Sequence, residues 1–146
     1  MPDDTAIPAA HLADEVIALL VTTNARMSQH FTARAAEFDL SPTEGKVLLA
    51  LEPGRSLSMR AIARKLGYDP SNFTGVADKL EDRDLVSRHP DPDDRRVKAI
   101  VATERGRGLI EQLSKRLRTG GGPLGSLSHD QLRELRTLLD QANTDP

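Results

Sequence analysis

Two adjacent arginines, Arg95 and Arg96, crown a turn that also carries Asp91, Asp93 and Asp94. A guanidinium at the end of a thin hairpin suits the narrow minor groove of duplex DNA, where the negative potential is strongest. A carboxylate beside it can fix its pose through a bidentate pair. A charged turn of this kind is more commonly a solvated loop, so the stretch some twenty residues upstream matters. There Ser71, Asn72 and Thr74 fall in the first turn and a half of a short helical pattern that opens at Pro70. Asn can bond adenine in a bidentate way, and Ser and Thr both donate and accept. Gly75 beside them permits close approach to the backbone, and Arg64, Lys65 and Lys79 add cations suited to phosphate. An ordinary polar helix surface would carry the same residue types. The chemistry indicated is recognition of nucleic acid and not bond making. No Gly-rich phosphate loop, nucleophile elbow or pair of catalytic carboxylates occurs. His11, His30, His89 and His129 are scattered without ligand spacing, so the reading expects no enzyme, no metal and no other cofactor.

These residues need elements to hold them. Ser58 reads as the cap of a helix over Met59–Leu66, and Gly67 supplies the positive φ that stops it. Asp69 and Pro70 restart the chain as N-cap and first helical residue, and the second helix is expected over residues 70–83. The short connection is that of a helix-turn-helix. Residues 85–89 and 97–101 alternate apolar and polar side chains, as half-buried strands do, with the arginine turn between them. Ser56 and Leu57 are a candidate third strand. Upstream, a helical period runs over residues 9–37, and Ser41, Pro42 and Glu44 open another helix with a capping box. Downstream, Thr103 caps a helix over residues 104–117, Gly120 to Pro123 breaks it, and Ser128 with Gln131 starts the last one.

At 146 residues the chain suits a single domain. Its net charge of −2 argues against a nucleic-acid binder until it is divided: residues 55–107 carry 12 Lys and Arg against 9 Asp and Glu, +3, and the remainder carries −5. A basic module in an acidic frame is what local phosphate contact requires. No cysteine is present, which removes disulfides, thiolate metal sites and thiol redox sensing. No apolar run is long enough to span a bilayer, and the acidic start does not resemble a signal peptide, so the expectation is a cytoplasmic protein with no membrane partner.

Residues 40–113 resemble the MarR family of winged-helix transcription regulators. The resemblance rests on Leu40-Ser41-Pro42-Thr43-Glu44, Ala61-Ile62-Ala63-Arg64-Lys65-Leu66-Gly67, Val76-Ala77-Asp78-Lys79-Leu80-Glu81 and Leu85-Val86-Ser87-Arg88. Most specific are Asp91-Pro92-Asp93-Asp94-Arg95-Arg96 and Thr103-Glu104-Arg105-Gly106. The resemblance implies an obligate homodimer, paired through the N- and C-terminal helices, on palindromic double-stranded DNA. It implies that Arg96 enters the minor groove, braced by Asp78 and Asp94, and that Ser71, Asn72 and Thr74 contact bases and phosphates. It also implies release by a small aromatic or phenolic effector. Met27, His30, Phe31, Phe38 and Val47 are the candidates to line its cavity, although core packing alone would account for them. Three departures stand out: Asp84 where the family usually has glycine, the break at Gly120 to Pro123, and the lack of cysteine.

The expected protein is therefore mostly helical (α+β), with a winged helix-turn-helix DNA-binding lobe and a helical dimerisation lobe drawn from both termini. Its parts are a tail over residues 1–8, a dimerisation helix over 9–38, the winged-helix lobe over 39–103 and dimerisation helices over 104–146. The function expected is a dimeric transcription regulator, most often a repressor in such a family. A winged-helix module that binds a protein partner without DNA stays open as the alternative.

Overall fold

The structure, a computed structural model, describes residues 8–73, 75–119 and 121–144. In chain order its elements are α1 (Ala9–Ala36), α2 (Pro42–Ala50), β1 (Leu57–Ser58), α3 (Met59–Leu66), a 3₁₀ turn (Pro70–Phe73), α4 (Val76–Asp82), β2 (Val86–Pro90), β3 (Lys98–Ala102), α5 (Glu104–Thr119) and α6 (His129–Ala142). The three strands form an antiparallel sheet in the order β1-β3-β2, with Leu57 opposite Ile100 and Arg88 opposite the same residue on the other side. This is the winged-helix arrangement: helices α2 to α4, then a β2–β3 hairpin as the wing. No helix among the described residues is long and apolar enough to cross a membrane.

The described chain falls into two compact units. One, residues 31–118, has a continuous apolar core. Val47 and Leu48 of α2, Ile62 of α3, Phe73, Leu80 of α4, Val86 and Ile100 of the sheet and Leu113 of α5 are all essentially removed from solvent. Each fully buried side chain of this size contributes roughly 1.5–3 kcal/mol. The starts of α2 and α3 are the expected ones. Ser41 Oγ accepts the Glu44 N–H at 3.2 Å, and the Glu44 carboxylate accepts the Ser41 N–H at 2.8 Å. That reciprocal pair is why a glutamate can be buried here. Ser58 Oγ accepts the Ala61 N–H at 3.1 Å, and Gly67 ends α3 with φ of 70°.

Two elements differ from the sequence reading. Residues 70–83 do not form one helix; a 3₁₀ turn ends at Phe73 and α4 begins at Val76. Gly75 starts α4 without any side-chain cap, and glycine is a poor helix former, so nothing local carries the helix through this point. Both wing strands also begin one residue later than alternation suggests. Leu85 closes α4, its N–H bonding the Leu80 carbonyl at 2.9 Å, and Val97 closes the wing turn on the Asp94 carbonyl at 2.9 Å. Leu85 and Val86 are consecutive yet both buried, which strict alternation forbids.

The other unit joins the described parts of residues 1–30 and 119–146. Ser128 and Gln131 form the anticipated capping box at the head of α6. Within this unit the apolar side chains stay largely outside: Leu12, Val16, Ile17, Leu19, Leu20 and Val21 of α1, and Leu132 and Leu138 of α6, are exposed.

Candidate nucleic-acid interface

The wing turn is shaped by its aspartates. Asp91 Oδ1 accepts the N–H groups of Asp93 at 2.8 Å and Asp94 at 3.3 Å, and the Asp91 N–H bonds the Val97 carbonyl at 2.8 Å. Asp94 Oδ1 accepts the backbone N–H of Arg96 at 3.0 Å. These carboxylates therefore organise backbone and do not hold a guanidinium in the structure. Arg95 and Arg96 are exposed, and neither side chain has a hydrogen bond or ion pair among the described residues. The wing thus presents two free cations on a turn fixed by side-chain acceptors.

Asp78 is engaged elsewhere than the resemblance implies. Its carboxylate accepts a hydrogen bond from Arg88 of β2, whose Nε also forms an ion pair with Glu81 Oε2 at 2.9 Å. Arg88 is the functional candidate the sequence reading missed. The signal was present in part, because Asp78 and Glu81 lie three residues apart on one helix face and call for a cation. Which cation answers is settled only by the fold.

The recognition segment is held from behind. Phe73 is buried, and the Tyr68 ring meets it edge-on with centroids 5.6 Å apart. Lys46 Nζ donates to the Tyr68 hydroxyl at 2.7 Å. Ahead of it, Asp69 Oδ1 accepts both the N–H and the hydroxyl of Ser71, each at 2.9 Å. Those two bonds, the backbone one first, hold the Asp69 carboxyl below its ordinary range. Ser71 is exposed; Thr74 and the Asn72 side chain lie outside the described residues. Of the cations, Arg64 and Lys79 are exposed without a partner among the described residues. Lys65 is tied down, donating to the Ala50 carbonyl at 3.2 Å with Glu52 at 3.8 Å.

The five residues suggested for an effector cavity divide between the two units. Val47 is wholly buried in the winged-helix core, with Phe31 and Phe38 half-buried against it. Met27 and His30 belong to the other unit, where His30 lies close to Gly122 and a Cβ on that glycine would stand 3.3 Å from Nε2.

A sequence profile of the MarR family matches residues 40–98. The HTH-type transcriptional regulator YhbI of Bacillus subtilis is 31% identical over 102 residues, 69% of this chain and 66% of that relative's length, so the chain spans just under two thirds of it. Among solved structures, CouR from Rhodococcus jostii RHA1 bound to p-coumaroyl-CoA is 30% identical with a TM-score of 0.76, over 92% of this chain and 97% of that one. CouR bound to a 23-mer DNA duplex aligns at 27% identity and a TM-score of 0.74, over 94% and 99%. A MarR-family transcriptional regulator from Rhodococcus sp. RHA1 is 30% identical with a TM-score of 0.76, over 90% of this chain and 94% of that one. With nearly whole-length likeness at that identity, on top of a helix pair and a wing turn that the profile covers, the chain belongs to the MarR family of transcriptional regulators.

Proposed function

We propose that the protein is a homodimeric repressor that binds a palindromic operator, with the segment from Ser71 through α4 in the major groove and the wing arginines in the adjacent minor groove. The observation that carries this is the pair of unpartnered guanidiniums, Arg95 and Arg96, on a turn whose backbone is fixed by Asp91 and Asp94. Cations held ready at the tip of a rigid finger and left uncompensated by their own chain suit an external polyanion. CouR, solved on duplex DNA, lends support. Dimerisation is supported by the apolar side chains that α1 and α6 leave exposed. Pairing would set two recognition segments about 34 Å apart, one per successive major groove. Release by a small aromatic effector is the remaining part of this reading; it is supported by the p-coumaroyl-CoA complex of CouR.

The test is selection of duplex fragments from the source genome by the full chain, followed by a salt titration of the enriched duplex. Binding is expected to fall steeply as salt rises, because bound cations release counterions from the phosphates. Enrichment of no fragment, with no co-sedimentation with genomic DNA at low salt, would instead favour a winged-helix module that binds protein.

A further inference from the structure

Helix α4 carries Asp78 and Glu81 on one face, and this helix belongs to the segment assigned to the major groove. Two carboxylates there would repel the phosphates on either side of the groove. Arg88, in the middle of β2, meets both: it pairs with Asp78, and its Nε lies 2.9 Å from Glu81 Oε2 in a second ion pair. All three side chains are at the surface, 36%, 61% and 45% exposed in the order Arg88, Asp78, Glu81. Ion pairs this wet contribute little to folding. The recess beside Asp78 and Arg88 is lined by the buried side chains of Phe73, Ala77 and Ile100, with Met59 and Lys98. The fold therefore has little need of Arg88, while a DNA-facing helix has a clear one. The strand that holds Arg88 also runs on, through Pro90, into the turn that bears Arg95 and Arg96.

We propose that Arg88 is a positioning residue for DNA binding: it holds the Asp78 and Glu81 carboxylates of α4 in ion pairs and so masks them from the phosphates. This rests on the DNA-binding reading above. Arg88 acts through α4 and does not itself need to touch a nucleotide.

The experiment measures affinity for the genomically enriched duplex by fluorescence anisotropy, with the full chain. Arg88→Gln is expected to weaken binding about tenfold, because two uncompensated carboxylates then face the phosphates. Its melting temperature should stay within about 3 °C of the parent's, as loss of an exposed pair predicts. In a background of Asp78→Asn and Glu81→Gln, the same Arg88→Gln change should cost less than about twofold, since there is nothing left to mask. If Arg88 contacts DNA directly, the tenfold loss persists in that background and the proposal falls. The Asp78→Asn, Glu81→Gln protein, which retains Arg88, gives a second reading should Arg88→Gln fold poorly. It should bind several times more tightly than the parent, and weaker binding would equally overturn the proposal. Failure of the parent chain to bind any duplex defeats the DNA reading, and this inference with it; binding by the parent with an uncoupled Arg88 defeats the inference alone.

Discussion

Single residues decide whether the wing can work and whether it can form. Arg96 is exposed with its backbone N–H held by Asp94 at 3.0 Å and its guanidinium free among the described residues. Arg96→Ala should therefore cost on the order of 1–3 kcal/mol of operator affinity while leaving thermal stability unchanged. A gel-shift titration with the parent's midpoint would remove the wing from the interface. Gly106 is the opposite case. An added Cβ would sit 1.9 Å from the Leu85 carbonyl oxygen, and that carbonyl accepts the Thr103 N–H at 3.1 Å. The Thr103 hydroxyl in turn donates to the Asp84 carbonyl at 2.6 Å and accepts the Gly106 N–H at 3.0 Å. Helix α5 is pressed directly onto the chain leaving α4, with no room for a side chain. Gly106→Ala should destabilise the fold by about 3 kcal/mol or more, read by chemical denaturation; a loss under 1 kcal/mol would show that the two segments separate easily. The motif Thr103-Glu104-Arg105-Gly106 was legible in the sequence as a signature, but its reason, a backbone contact across a turn, was not. Asp84 shows the reverse. Its φ of 55° is what an aspartate in place of a usual glycine suggests, because a short polar side chain tolerates that region.

At the level of elements, caps and the break at Gly120 to Pro123 were readable, and the interruption at Gly75 was not. Ser41, Ser58 and Ser128 each start the helix their spacing from the following turn announces, since a cap is a local hydrogen bond. The recognition helix is broken locally, at Gly75, which has no side-chain cap, whereas the wing strands departed from expectation for a tertiary reason: burial of both Leu85 and Val86 overrides the local period. The end of α1 is fastened within the winged-helix unit by Glu37, which accepts from Arg116 of α5 at 2.6 and 3.3 Å and also pairs with Arg34. The hydrogen bond from Arg116, then the charges of Arg116 and Arg34, hold the Glu37 carboxyl below its ordinary value of 4.5. A lowered carboxyl pKa stabilises the folded form above the unfolded value, and the effect fades as pH falls through the folded value. Glu37→Gln should thus flatten the stability curve below about pH 4.5 and leave the slope near neutrality alone. An unchanged acid limb in pH-dependent melting would show that the pair carries no linkage.

For the whole molecule, the salient fact is how much apolar surface the terminal unit leaves outside. Val16 and Leu20, one helical turn apart, are each about half exposed, at 46% and 45%. An isolated chain has no reason to present such a stripe, and a second copy would cover it. Val16→Asp with Leu20→Asp should convert a dimer to a monomer in light scattering and reduce operator affinity at least tenfold, because two half-sites no longer bind as one. A parent chain that is monomeric at micromolar concentration would count against the dimeric regulator.

By itself the sequence determined the starts of α2, α3 and α6, the presence of a helix pair and a charged hairpin, the family and the cations that crown the wing. These depend on contacts within a few residues or on motifs written contiguously. The tertiary structure decided which partners the charged side chains meet across the fold: Asp78 and Glu81 with Arg88, and Lys65 with the Ala50 carbonyl at the end of α2. Partners seven to fifteen residues apart are chosen by how the helices pack on one another and on the sheet. A charge can pair with any opposite charge within reach, and only the packed core fixes what that reach contains.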